Sequence, residues 1–129
     1  IVGADTIVVL DGEILGKPAD EADAVRMLSR LSGRTHQVYT GFALLYRPEN
    51  ESVTGYEVTQ VHFRSLQEWE IRSYVATGSP MDKAGAYGIQ DQSALFADRI
   101  EGCFYNVVGF PLTRFYLTLL NFNKEHAHE

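Results

Sequence analysis

The sequence predicts a mixed α/β domain, a curved sheet with flanking helices. Three observations carry that expectation. The chain opens on a nearly all-apolar run, IVGADTIVVL. Further on, two long runs rich in β-branched and aromatic residues stand on either side of RPENES. Capped segments with helical apolar spacing lie between and after these runs.

Residues 1–10 read as an interior strand covered on both faces, because so apolar a run is at home inside a sheet. Asp11-Gly12 is a tight hairpin turn into Glu13-Ile14-Leu15. Asp20, with Asp23 three residues on, caps a helix running to Leu31, and Ser32-Gly33 ends it. Ala24, Met27, Leu28 and Leu31 give that helix one apolar face. Thr35 to Tyr46 and Val53 to Phe63 form a long antiparallel hairpin. Ser65 and Glu68 make a capping box for a second helix to Ala76, which TGSP breaks. MDKAGAYGIQ, residues 81–90, fits neither period and is a loop. Pro111 opens a last helix with Phe115, Leu119 and Phe122 inward, and the polar tail NKEHAHE frays. A parallel partner for the first strand is expected from a segment preceding this sequence.

The bulk properties bound the function. With 129 residues the chain is at most one domain, large enough to bury a core. A formal net charge of −6 argues against duplex nucleic acid as partner, since that needs a basic face. A small anionic ligand stays open, because a few local cations suffice. No apolar run of about 18 residues is present, so no membrane partner is expected. Cys103 is the single cysteine and cannot form an internal disulfide, which favours a reducing, cytoplasmic setting.

Asp5 is a lone acid in the opening strand. Burying an unpaired carboxylate costs several kcal/mol, so it either faces a cleft at the strand end, is paired, or caps the next turn. Strand ends in α/β sheets are where ligands sit. Lys17, in GKP, and Lys83, in DKAGAYG, are two of three lysines and both lie in glycine-containing loops. Small residues there would let backbone N–H groups approach an anion; the alternative is a solvated surface lysine. Asp82 could orient Lys83, hold a metal or start a turn. Gln90 carries an amide that donates and accepts, as reading a nucleobase edge requires. His36 and His62, on the hairpin strands, read as structural, and His126 and His128 do not match zinc spacing. Cys103 has no histidine at a spacing that argues for nucleophilic chemistry.

Taken together, GADTIVVLDGEILGKP (3–18), RMLSRLSGRTHQVYTG (26–41) and MDKAGAYGIQ (81–90) strongly resemble the Maf family of nucleoside triphosphate pyrophosphatases. IEGCFYNVVGFPL (100–112) also resembles that family's C-terminal segment. The resemblance implies an α/β fold like that of inosine triphosphate pyrophosphatases, with a cleft between two lobes. It implies hydrolysis of a nucleoside triphosphate to monophosphate and pyrophosphate, with Mg²⁺ or Mn²⁺ as cofactor. By position, Asp5 matches the family's catalytic proton acceptor, and Thr6 and Gln90 match positions linked to substrate choice. Lys17, Asp82 and Lys83 match polar residues around phosphates and metal, with Asp5 and Asp82 the candidate metal ligands. Threonine after Asp5, together with Gly-Ile-Gln, is similar to the branch acting on dTTP and UTP.

The implied role is nucleotide-pool surveillance, and a homodimer is implied as well. The alternative is a non-catalytic nucleotide- or partner-binding regulator linked to septum formation. Residues 1–129 contain no Ser-x-Ser-Pro-Arg-Arg segment, with which family members begin. The sequence is therefore expected to be the C-terminal portion of one domain, with the strand and helix that carry those arginines preceding it.

Overall fold

The computed structural model describes residues 2–46 and 51–126. Residues 47–50 of the RPENES turn and residues 127–129, with His128, lie outside the described residues.

Five strands form one sheet in the order β2-β1-β3-β4-β5: β1 Val2–Leu10, β2 Glu13–Leu15, β3 Thr35–Tyr46, β4 Glu51–Phe63 and β5 Ala97–Glu101. Every pairing in it is antiparallel. The parallel neighbour expected for the first strand is not among the described residues, where β1 lies between the short β2 and the long β3. Asp11 and Gly12 both take positive φ, 51° and 78°, as a two-residue hairpin turn of this hand requires. Because β2 is short, it pairs only with Val8, Val9 and Leu10. Along its other edge β1 is zipped to β3 from Val2 opposite Leu44 to Val9 opposite Gln37.

Val8 and Leu10 are buried, while Val2 through Asp5 are exposed among the described residues. An apolar run alone does not distinguish a strand covered on both faces from one whose first half borders a cavity.

Helix α1, Glu21–Leu31, starts where its cap predicts, with the Asp20 carboxylate accepting from the Asp23 N–H at 2.7 Å. Ala24, Leu28 and Leu31 are fully buried against the sheet, while Met27 packs at the core's margin. Helix α2, Glu68–Ala76, starts two residues later than a Ser65 cap would place it. Its N-cap is Gln67, whose N–H reaches Glu70 at 3.0 Å. Arg64 explains the shift, because its guanidinium grips the Glu70 carboxylate at 2.6 and 3.1 Å and fixes that residue at the third helical position. The same hydrogen bonds hold the Glu70 carboxyl down at about 2.

A five-residue helix, α3, spans Phe104–Val108, and α4 spans Leu112–His126. α3 is too short to show periodicity in sequence. In α4 Phe122 is buried and Phe115 meets Phe42 edge-on at 5.6 Å. The tail expected to fray is helical as far as His126. No described helix is long and apolar enough to cross a membrane. Asn106 anchors α3 to the sheet by donating to the Val38 carbonyl and to Thr59 Oγ1, each at 2.9 Å. That buried amide places the end of α3 beside the exposed half of β1.

Candidate active site

A cavity of about 500 Å³ opens between the first half of β1, the end of α3 and the wall formed by residues 79–91. Asp5, Thr6, Lys17, Asp82, Lys83 and Gln90 all line it. Residues from three separate stretches of sequence thus converge on one concavity. Asp5 faces it from the middle of β1, opposite Gly41, and not from the strand end.

Two short 3₁₀ turns, Ser79–Asp82 and Ala84–Ala86, build the wall. Gly85 seats it. At φ 70° it rests on Val8, and a Cβ there would come within 2.9 Å of that side chain. Its N–H donates to the Gly16 carbonyl at 3.1 Å, which ties the loop holding Lys83 to the loop holding Lys17. Tyr87 is the second anchor, with its hydroxyl 2.6 Å from Nε2 of fully buried His36 on β3. The expectation that His36 is structural holds. Burial, with a smaller contribution from nearby His62, pushes its imidazole down to about 4, so it is neutral at physiological pH. His62 meets Thr35, and Arg99 at 3.2 Å, away from the cavity.

Several of the loop's backbone N–H groups bond within the protein: Lys83 to Pro80, Gly85 to Gly16, Ala86 to Lys83 and Asp91 to Gly88. Gly88 N–H meets the Tyr74 hydroxyl at 3.3 Å. Gly85 and Gly88 serve close packing, the first against Val8 and the second against the Lys83 stem.

Lys83 Nζ donates to the Ser79 carbonyl at 2.6 Å and to Asp82 Oδ1 at 3.2 Å. The Asp82 side chain is 82% exposed, so its half of that pair is open to water and exchangeable. Lys83, ahead of the more distant Lys17, lowers the Asp82 carboxyl below the usual carboxylate range.

Thr6 has a defined polarity. Thr40 Oγ1 lies 3.1 Å from the Asn106 carbonyl, which can only accept, so the single Thr40 proton goes there. In the 2.8 Å Thr6–Thr40 pair, Thr6 must therefore donate. Its remaining lone pairs are its hydrogen-bonding capacity toward the cavity, which suits it to accept from a ligand N–H.

Residues that sequence reasoning missed complete the site. Asp91, Ser79 and Tyr87 also line the cavity, while Val8, Val38, Val107 and Val108 form apolar lining. Asp91 is buttressed by Tyr74, whose hydroxyl donates to it at 2.7 Å. Burial and that carboxylate push the Tyr74 phenol up to about 12. No local pattern marked these residues, since each matters through partners distant in sequence.

The donor set suits a hard divalent cation. Asp5 and Asp82 are exposed carboxylates at the cavity, and no group of three His, Cys, Asp or Glu side chains is gathered among the described residues. Mg²⁺ is commonly held in that way, by one or two carboxylates plus the phosphates of a bound nucleotide. The charged residues lining the cavity are Asp5, Asp82 and Asp91 against Lys17 and Lys83, so it carries no positive excess of its own.

Comparison with known proteins fits this geometry. The family model described as Maf-like protein matches residues 1–122. The chain belongs to the Maf family. Curated relatives named dTTP/UTP pyrophosphatase include one from Dictyoglomus turgidum, 55% identical over 114 residues, covering 88% of this chain and 59% of the relative. One from Syntrophomonas wolfei is 54% identical over 116 residues, covering 90% of this chain and 61% of the relative. Another, from Clostridium perfringens, is 48% identical over 123 residues, 95% of this chain and 64% of the relative. The chain thus spans about 59–64% of the length of these Maf relatives.

Proposed function

We propose that the cavity binds a pyrimidine nucleoside triphosphate, dTTP or UTP, and hydrolyses it to the monophosphate and pyrophosphate. The observation that carries this reading is the convergence of Asp5, Thr6, Lys17, Asp82, Lys83 and Gln90 on one cavity. The names of the relatives support the choice of substrate.

Asp5 accepts a proton from a water molecule as its oxygen bonds to the α-phosphorus. The bond from that phosphorus to the bridging oxygen breaks, and pyrophosphate departs with the electron pair. Lys17 and Lys83 meet the charge that collects on the phosphate oxygens. Asp5 and Asp82 would hold Mg²⁺ or Mn²⁺, which when bound neutralises phosphate charge and polarises the scissile bond. Thr6 offers its lone pairs to an imide N–H of the base, and Gln90 offers both a donor and an acceptor. Removal of surplus or non-standard triphosphates from the nucleotide pool is the role this chemistry serves. Because the acid and both lysines are present at the cavity, a non-catalytic regulator is not favoured.

The test is product analysis with dTTP or UTP and either metal. Equimolar monophosphate and pyrophosphate are expected; orthophosphate with a diphosphate would overturn the reading.

The lysines give a second expectation. Lys17→Ala and Lys83→Ala should each weaken triphosphate binding about tenfold while changing nucleoside binding less than about twofold. Both losses should shrink as salt rises. Calorimetric titration of each variant at two ionic strengths checks this; equal losses for nucleoside and triphosphate would mean the lysines act through the fold.

A further inference from the structure

Asp91 is a half-buried carboxylate in the cavity wall. Oδ2 accepts from the Tyr74 hydroxyl at 2.7 Å and the Ser79 hydroxyl at 2.8 Å, and Oδ1 accepts from the Ser93 N–H at 2.8 Å. Burial alone would raise its carboxyl, but the hydrogen bonds from Ser93, Tyr74 and Ser79 outweigh it and keep the group ionised.

This arrangement decides the polarity of Ser79. Its one proton goes to Asp91, so its lone pairs are left for Lys83 Nζ, 3.3 Å away. The ammonium is therefore held by two acceptors of Ser79, the hydroxyl oxygen and the carbonyl, and by the exposed Asp82. The lysine's stem is fixed as well. It lies across Gly88, where a Cβ would come within 2.7 Å of Cε, and the Gly88 N–H is held by the same Tyr74 hydroxyl that serves Asp91.

We propose that Asp91 is the positioning residue for Lys83: by fixing Ser79 as an acceptor it holds the ammonium at the cavity, leaving the Asp82 contact as the one a phosphate oxygen replaces. The proposal rests on the reading of Lys83 as a phosphate ligand. An amide at position 91 would set a second donor against the Tyr74 and Ser79 hydroxyls, or against the Ser93 N–H. If it faced Ser79, that hydroxyl would turn its proton toward the ammonium.

Two readouts test this on the full chain. The first uses no nucleotide: the acetylation rate of Lys83 by acetic anhydride, followed by peptide mass spectrometry. Asp91→Asn should raise it about fivefold, the scale of one lost hydrogen bond of ordinary strength. Should Asp91→Asn fold poorly by circular dichroism, Ser79→Ala, which keeps the Tyr74 and Ser93 contacts, should give the same rise. An unchanged rate in a folded variant overturns the proposal.

The second readout is calorimetric binding of inorganic tripolyphosphate with Mg²⁺. Asp91→Asn should weaken binding about fivefold in the wild-type background and less than about twofold in the Lys83→Ala background. Full additivity overturns the proposal, since a merely structural residue would cost the same in both. If Lys83→Ala itself leaves tripolyphosphate binding intact while acetylation still responds to Asp91→Asn, the positioning stands and the phosphate reading falls.

Discussion

Asp5→Asn should reduce pyrophosphate release at least about a hundredfold, the lower end of what a positioned general base contributes. The substitution keeps the size and shape of the side chain and removes its capacity to take a proton. Asp5 lies on the exposed half of β1, and its backbone pairs with Gly41 whatever the side chain is. The thermal midpoint should therefore move by no more than a degree or two. Steady-state rates with dTTP, alongside a melting curve, check both halves. A variant that keeps a near-normal rate removes Asp5 from the chemistry.

The second large effect is on stability. Folded His36 titrates at about 4 against an ordinary 6.5, because burial disfavours the charged ring. Its Nδ1 has no hydrogen-bond partner among the described residues, and Nε2 meets only the Tyr87 hydroxyl. The unfolded chain thus takes up the proton first as the pH falls. Stability is full above about 6.5, declines between 6.5 and about 4, and has no further dependence on this group below that. The loss across that window is roughly 3 kcal/mol. The carboxylates held below their ordinary values, Glu70, Asp82 and Asp91 among them, start from about 4 and add their own losses mostly at lower pH. Urea unfolding at pH 7, 5.5 and 4.5 should follow this decline, and His36→Gln should flatten it. A wild-type slope unchanged by that substitution would mean another group titrates.

His36 couples this loss to the site, because Tyr87 hangs on its ring and carries the wall between Lys83 and Gln90.

Local patterns made part of this architecture legible in the sequence. Asp20 and Asp23 mark the start of α1 as a true cap, and the β3–β4 hairpin follows from its long β-branched and aromatic runs. The six residues that the resemblance singled out line one cavity, because the motifs that hold them form its walls.

What escaped depends on distant partners. Asp91, Ser79 and Tyr74 look like ordinary polar and aromatic positions until the chain folds them together. Asn106 gains its meaning only where α3 crosses β3 and β4. The packing of Gly85 on Val8, and its N–H bond to the Gly16 carbonyl, likewise depend on partners far away in sequence.

That one cavity holds the whole nucleotide is tested by a crystal structure of the chain with α,β-methylene-dTTP and Mg²⁺. The phosphates should lie within hydrogen-bonding reach of Lys17 and Lys83, and the base against Thr6 and Gln90. The α-phosphorus should lie on the side of Asp5, with the Lys83–Asp82 contact broken and Lys83–Ser79 kept. A nucleotide bound elsewhere, or one whose phosphates avoid both lysines, would contradict it.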